Sequence, residues 1–301
     1  MPIEPELKFR IPEAMLGSVA GMRIRGARAE AGSERKLVST YFDTPKQRLR
    51  RHGLTLRVRN SDGEFRQTVK SAAVDGFARG EWEAKVSGAS PMLGGLKKTP
   101  LARLATKKLK RKLEPVFRTS VDRTARLLRV GTSEVELAVD RGTIVAGRRT
   151  RPISEFELEL TKGRTADLFR LARKFERRTG AELDLRSKSE RGYLLAAGDK
   201  RAAVRAQDIV LTKAMTVEEA FDVIAFSAVR HFTSNVEAVR GFDSEGIHQM
   251  RVGLRRLRAA ISLFSEILPV ASTERIKTEL KWLTGELAAA REIDVFVTEK
   301  I

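Results

Sequence analysis

Cysteine is absent from the 301 residues, which excludes disulfides, thiolate nucleophiles and sulfur-built zinc sites and leaves the redox compartment open. Histidine occurs three times, never at metal-ligand spacing. Two tryptophans and two tyrosines give little surface for stacking a base, although the 14 phenylalanines can contribute. No apolar run approaches the ~20 residues needed to span a bilayer, and the N-terminal MPIEPELKFRIP is charged from residue 4 onward. The expectation is a soluble, cytoplasmic protein without a membrane partner. A G-x-x-x-x-G-K-[ST] phosphate loop, H-E-x-x-H and G-x-S-x-G are all missing. So are helix-turn-helix, zinc-finger and RNA-recognition signatures, and no specific nucleic-acid partner is expected.

What is abundant is positive charge. Lysine and arginine total 58 against 39 acidic residues, a net charge of +19, and such a surface attracts polyanions without naming one. The length and 42% hydrophobic content suffice for two domains with real cores. Up to about residue 195, short alternating runs separated by glycine and aspartate predict an antiparallel sheet or barrel: LTLRVR at 54–59, EFRQTVK at 64–70, EWEAKV at 81–86, EVELAVD at 134–140 and EFELEL at 155–160. Helices are predicted over 101–113 and 165–179. The polar stretch 198–208 reads as a linker, after which the period lengthens to that of helices. Ile247, Met250, Leu254, Leu257, Ile261 and Phe264 make one apolar seam.

Residues two apart in a strand share a face. That rule groups Glu155 with Glu157 and Glu159, Glu4 with Glu6 and Lys8, Arg57 with Arg59, Arg66 with Thr68 and Lys70, Glu81 with Glu83 and Lys85, and Glu134 with Glu136 and Asp140. Any one such face can simply point to water. Three carboxylates on one strand face, however, repel by several kcal/mol at short range unless cations lie between them. Oxygen-only ligands favour Mg²⁺ or Mn²⁺. Turned inward together, these faces would suit metal and phosphate, the two needs of phosphoryl transfer.

The segments EPELK at 4–8, YFDTP at 41–45, LRVR at 56–59, TVK at 68–70, RGEWE at 79–83, Arg118, ELAVDRG at 136–142, EFELEL at 155–160 and RSKSERGY at 186–193 resemble, in order, the CYTH superfamily of triphosphate tunnel metalloenzymes. The resemblance implies an α+β chain: a closed eight-stranded antiparallel β-barrel over 1–200, followed by an all-α helical-bundle segment. It also implies that Glu6, Lys8, Glu157 and Glu159 are catalytic and that Glu4, Glu6, Glu157 and Glu159 hold the metal. Glu81 and Glu136 would be further acidic tunnel residues. Lys8, Arg57, Arg59, Lys70, Arg79, Arg118 and Lys188 would grip the phosphates. Pro5 cannot donate to a ladder, which places Glu4 at or before the first strand's start.

From 208 to 301 the chain resembles the N-terminal part of a CHAD domain, carried by HQMRVGLRRLRAAISLF at 248–264 and KWLTGELAAAREIDV at 281–295. A full CHAD domain is longer, so the segment reads as a truncated one. His248, Arg251, Arg255 and Arg258 recur at three- and four-residue steps, a basic stripe able to grip polyphosphate or to face solvent. The dense basic run at 97–115 reads as a solvated helix face, with an accessory polyanion site as the alternative. The expected activity is hydrolysis of inorganic triphosphate to phosphate and pyrophosphate, with inorganic triphosphate or polyphosphate as partner. The alternatives are an adenylate cyclase, a nucleoside or thiamine triphosphatase, and a non-catalytic polyphosphate-binding module. Oligomeric state is not legible.

Overall fold

The computed structural model describes residues 5–71, 80–96, 98–104, 106, 109, 111–198 and 203–300. The chain divides into two compact units, Met1–Asp199 and Lys200–Ile301. The first is built on one antiparallel sheet of β1 (Glu6–Arg10), β2 (Arg28–Ala29), β3 (Ser33–Asp43), β4 (Leu54–Ser61), β5 (Glu64–Ser71), β6 (Glu81–Val86), β7 (Glu114–Val130), β8 (Ser133–Ala146), β9 (Arg149–Lys162) and β10 (Glu182–Leu183). The order is β10-β1-β9-β8-β7-β3-β4-β5-β6, with β2 on β7. Asp62 and Gly63, both at positive φ, turn β4 into β5 in the handedness that suits strand twist.

The closed eight-stranded barrel expected from the sequence is not found. The sheet has ten strands, two of them only two residues long, and among the described residues no ladder joins β6 to β10. The 182–184 segment takes the outer edge of β1: Phe9 pairs with Leu183, Arg10 with Glu182, and the Asp184 amide donates to the Lys8 carbonyl at 2.9 Å. Those are the backbone groups that a closing strand would have used. The sheet nevertheless curls. Glu6 on β1 lies within electrostatic reach of Lys70 on β5, with five strands between them along the order.

One face of β1, β8 and β9 is apolar and lies under α1 (Leu16–Gly21) and α3 (Thr165–Thr179). On α3 the predicted Leu168, Leu171, Ala172 and Phe175 are all buried, and Gly180 ends the helix at φ 63°. Phe156 packs between Phe9 at 5.0 Å and Phe175 at 5.4 Å. A second core joins β4 and β5 to Leu49 of α2 (Arg48–Arg51) and to Leu96, Leu101 and Leu109. The helix expected over 101–113 is not continuous among the described residues. Thr99 caps a short 3-10 turn, Pro100–Arg103, and the Thr106 hydroxyl then accepts from the Leu109 amide at 3.1 Å.

The other face of β3, β7, β8 and β9 is apolar at one end only, and there α4 (Lys188–Ala196) covers it. Ser187 and Glu190 form a capping box at its start. Tyr193 and Leu195 pack on Leu37, Phe117, Val121, Ile144 and Ile153. Gly192 lies so close to Phe117 that a Cβ would come within 2.6 Å of three ring carbons. Gly192→Ala is therefore expected to destabilise this unit by about 1–3 kcal/mol through overpacking, read as a lowered Tm in thermal unfolding.

The second unit contains α5 (Val217–Ser234), α6 (Val236–Arg240), α7 (Ser244–Leu263) and α8 (Val270–Lys300). Of the predicted seam, Met250, Leu254 and Ile261 are buried, Leu257 is half-buried, and Phe264 packs on Phe221 at 5.5 Å. Within the linker, Val204 is held by the buried Asn235 side chain, which accepts from its amide at 2.7 Å and donates to its carbonyl at 2.9 Å. Among the described residues no helix is long and apolar enough to cross a membrane.

Candidate active site

Ladder register gathers the predicted charges on one face. Across β1, β9, β8, β7 and β3 one row reads Arg10, Glu155, Asp140, Arg123 and Arg35. The next reads Lys8, Glu157, Ala138 and Ala125, and the next Glu6, Glu159 and Glu136. On β3 to β6 the same face carries Ser39 opposite Arg59, Tyr41 opposite Arg57, Arg57 opposite Thr68, Lys70 opposite Glu81, and Thr68 opposite Glu83. This face is charged where α4 leaves it uncovered. Carboxylates concentrate on β1, β8 and β9, and cations on β4 and β5.

The ion pairs are short. Lys188, at the N-terminal end of α4, reaches Glu155 at 2.5 Å, Asp140 at 2.7 Å and Glu157 at 2.7 Å. Arg123 forks onto Asp140 with two 2.7 Å hydrogen bonds and onto Glu157 at 2.5 Å, and Arg191 pairs with Glu155. Burial alone would raise the Glu157 carboxyl, but Lys188 and Arg123 hold it well below the usual carboxylate range. Glu155 is also lowered, with Lys188 and Arg191 outweighing burial. Lys188 is raised, because its three carboxylates outweigh burial. Lys8 is buried, which lowers its ammonium, and it donates to the Arg186 carbonyl.

On the cationic side Arg57 meets Glu81 at 3.3 Å and Glu83 at 3.8 Å, and Lys70 meets Glu81 at 2.5 Å. The Arg59 Nε donates to the Ser39 hydroxyl at 3.3 Å. Burial and the adjacent Arg57 push the Arg59 guanidinium down to about 10. The Arg57 Nε is buried with no hydrogen-bond partner. Two neighbouring guanidiniums under that tension favour an added anion, and phosphate oxygens match their geometry.

Two carboxylate groups bear on metal binding. Asp140, Glu155 and Glu157 have oxygens within 4.8 Å of one another, but Lys188, Arg123 and Arg191 already supply their positive charge. The second group is the row Glu6, Glu159 and Glu136. These residues face one another directly across three strands, and like charges so placed repel. The Glu6 carboxyl is pushed up chiefly by the Glu157 charge and then by burial, against the pull of Lys8, Lys188 and Lys70, and solvent still reaches the side chain. Carboxylate oxygens are the donors that a hard divalent cation such as Mg²⁺ or Mn²⁺ prefers.

Other predicted residues fall elsewhere. Arg118 does not join the site: it opposes Thr40, whose other neighbour is the core residue Val58, so it faces away and is exposed. Arg123 lies on the charged face of the same strand, paired with Asp140 and Glu157. Its signal is the alternation of Val121, Arg123 and Ala125. Arg191 was also missed, although it follows Lys188 by one helical turn. Glu4 and Arg79 lie outside the described residues. In the helical unit His248 and Arg251 are half-buried, and Arg255 and Arg258 are exposed. The latter two line a cleft of about 490 Å³ with Lys277 and Lys281 of α8, cations the sequence reading left out.

Comparison with known proteins matches two domain families along the chain. Residues 2–193 match the CYTH domain and residues 223–300 the CHAD domain. A curated Haemophilus influenzae relative named inorganic triphosphatase is 33% identical over 168 residues, 54% of this chain and 46% of its own length. The chain thus spans about half of that relative. Among solved structures, HpAC1 from Hippeastrum, described as having a dominant triphosphatase activity, aligns at 17% identity over 65% of this chain and 96% of its own, with a TM-score of 0.43. The PH1819 protein from Pyrococcus horikoshii OT3 aligns at 18% identity over 65% and 99%, with a TM-score of 0.40. Since the CYTH domain match spans 192 of the 301 residues (2 through 193), the chain belongs to the CYTH-domain family, and a CHAD domain follows at 223–300.

Proposed function

We propose that the charged sheet face hydrolyses inorganic triphosphate to phosphate and pyrophosphate with Mg²⁺ or Mn²⁺, and that the helical unit binds polyphosphate. The observation that carries this reading is the division of one face into a carboxylate row, Glu6, Glu136 and Glu159 beside Glu157, and a cationic side, Arg57, Arg59 and Lys70. The name of the Haemophilus influenzae relative supports the same substrate.

A divalent cation bound here supplies positive charge to phosphoryl oxygens and makes a bound water more acidic. Glu6, Glu157 and Glu159 would hold it, with Glu4 as the further proposed ligand. Arg57, Arg59, Lys70 and Lys8 bind the non-bridging oxygens and keep the chain in line, and Arg79 is proposed to join them. Their charge also offsets that which develops on the departing pyrophosphate, the main demand that phosphoryl transfer makes on a protein. Lys188 is engaged by carboxylates, so its part is to hold Glu157 in place as well as to add positive charge.

Inorganic triphosphate is favoured over a nucleotide because the charged face offers little aromatic surface for a base. Tyr41 is buried there and stacked on Phe117 at 4.4 Å. In the helical unit, Arg255, Arg258, Lys277 and Lys281 line the cleft that would take polyphosphate, with His248 and Arg251 extending the stripe. We place the activity in the cytoplasm.

The deciding experiment measures phosphate release from triphosphate, ATP and long-chain polyphosphate with each metal. Fast release from triphosphate and slow release from ATP are expected. Formation of cyclic AMP and pyrophosphate from ATP would replace this reading with the cyclase. Tight triphosphate binding without turnover would replace it with a binding module.

A further inference from the structure

The buried Asp43 carboxylate accepts four hydrogen bonds. Three come from its own turn: the Thr44 amide at 2.7 Å, the Leu49 amide at 2.9 Å and the Arg50 amide at 3.0 Å. The fourth comes from far along the chain, where the Tyr193 hydroxyl on α4 donates to the same carboxylate at 3.0 Å. Tyr193 also packs edge-on against Phe117 at 5.2 Å and lies under the Arg50 guanidinium at 5.0 Å. Burial and the Asp43 charge raise the Tyr193 hydroxyl, which keeps it protonated and able to donate. Three backbone amides orient the acceptor, two of them from α2.

Five residues before Tyr193, Lys188 stands among its three carboxylates at 2.5–2.7 Å. Five residues of helix rise only about 7.5 Å, so a small rotation at Tyr193 moves the Lys188 ammonium by a comparable amount. We infer that the Tyr193 to Asp43 hydrogen bond is a latch that sets the rotation of α4 on the sheet, making Tyr193 a positioning residue for Lys188. Through Lys188 it fixes the Glu157 carboxylate that the hydrolytic reading uses, and to that extent it rests on that reading.

The test compares the full chain with Tyr193→Phe, Lys188→Met and the double variant. Phenylalanine retains the ring against Phe117 and removes only the donor. In the parent background Tyr193→Phe is expected to lower kcat for triphosphate about 10-fold with little change in KM. In the Lys188→Met background it is expected to have no further effect, since the latch acts through that lysine. An equal loss in both backgrounds, or no loss in the first, overturns the inference. Hydrogen exchange on Tyr193→Phe gives a readout independent of activity. Faster exchange in α4 with α3 unchanged supports the latch, and unchanged exchange in α4 overturns it. If Lys188→Met does not fold, or if the parent fails to hydrolyse triphosphate and so overturns the hydrolytic reading, exchange alone decides the latch.

Discussion

Glu159→Ala is expected to lower phosphate release from triphosphate by about 10²–10³-fold while leaving the fold intact, the scale of losing one electrostatic partner of a transition state. Glu159 stands between Glu6 and Glu136 in the carboxylate row, and it shares its strand face with Glu157. Removing it takes away a proposed metal ligand. Turnover should therefore fall far more than stability. Steady-state kinetics across a Mg²⁺ titration, with thermal unfolding of the same samples, measures both. A loss of stability matching the loss of activity would instead mark Glu159 as structural.

Lys188→Met is expected to have the largest effect on stability, about 3–5 kcal/mol at neutral pH, because it strips the shared cation from buried carboxylates. Asp140 and Glu155 are buried and Glu157 is 15% exposed. The pH dependence follows from the directions of the shifts. Glu155 and Glu157 are lowered in the folded state, so their contribution is present above the ordinary carboxylate range and is lost as pH falls through their folded values. Lys188 is raised, so its contribution is present below the ordinary lysine range, near 10.4, and is lost as pH climbs past it. The gap between parent and Lys188→Met should thus be widest from about pH 5 to pH 9 and should narrow in acid. Denaturant unfolding followed by Trp82 fluorescence in a Trp282→Phe background isolates the first unit. A gap that widens in acid would contradict the assignment.

The alternating runs made the sheet and its charged face legible, because period two fixes which residues share a face. Glu155, Glu157 and Glu159 fall together as read, as do Arg57 and Arg59. The strand β7 was not legible: its long EPVFRTSVDRTARLLRV mixes cations onto both faces, so alternation alone does not say which arginine points inward. Arg118 was placed by motif and faces outward, whereas Arg123 was left unplaced and lies at the centre of the ion network. Barrel closure was also out of reach. It depends on which segment pairs the outer edge of β1, and the two-residue β10 has no pattern to announce it. The helix at 165–179 was easy because its apolar residues recur at helical spacing, while 101–113 was misread because Thr99 and Thr106 bond the backbone and break the helix. The basic cleft of the helical unit was half legible: Arg255 and Arg258 lie on one periodic helix, but Lys277 and Lys281 join them only through packing of α8 on α7.

On the proposed reading, the Glu6 and Glu159 carboxylates hold a divalent cation facing a triphosphate gripped by Arg57 and Arg59. Crystals grown with Mn²⁺ and an unreactive triphosphate analogue, measured for anomalous scattering, test it most directly. The expected result is a manganese peak bonded to Glu6 and Glu159, with the analogue running from it to the two arginines. A peak among Asp140, Glu155 and Glu157 with Lys188 displaced, or an analogue bound away from the charged face, would contradict it.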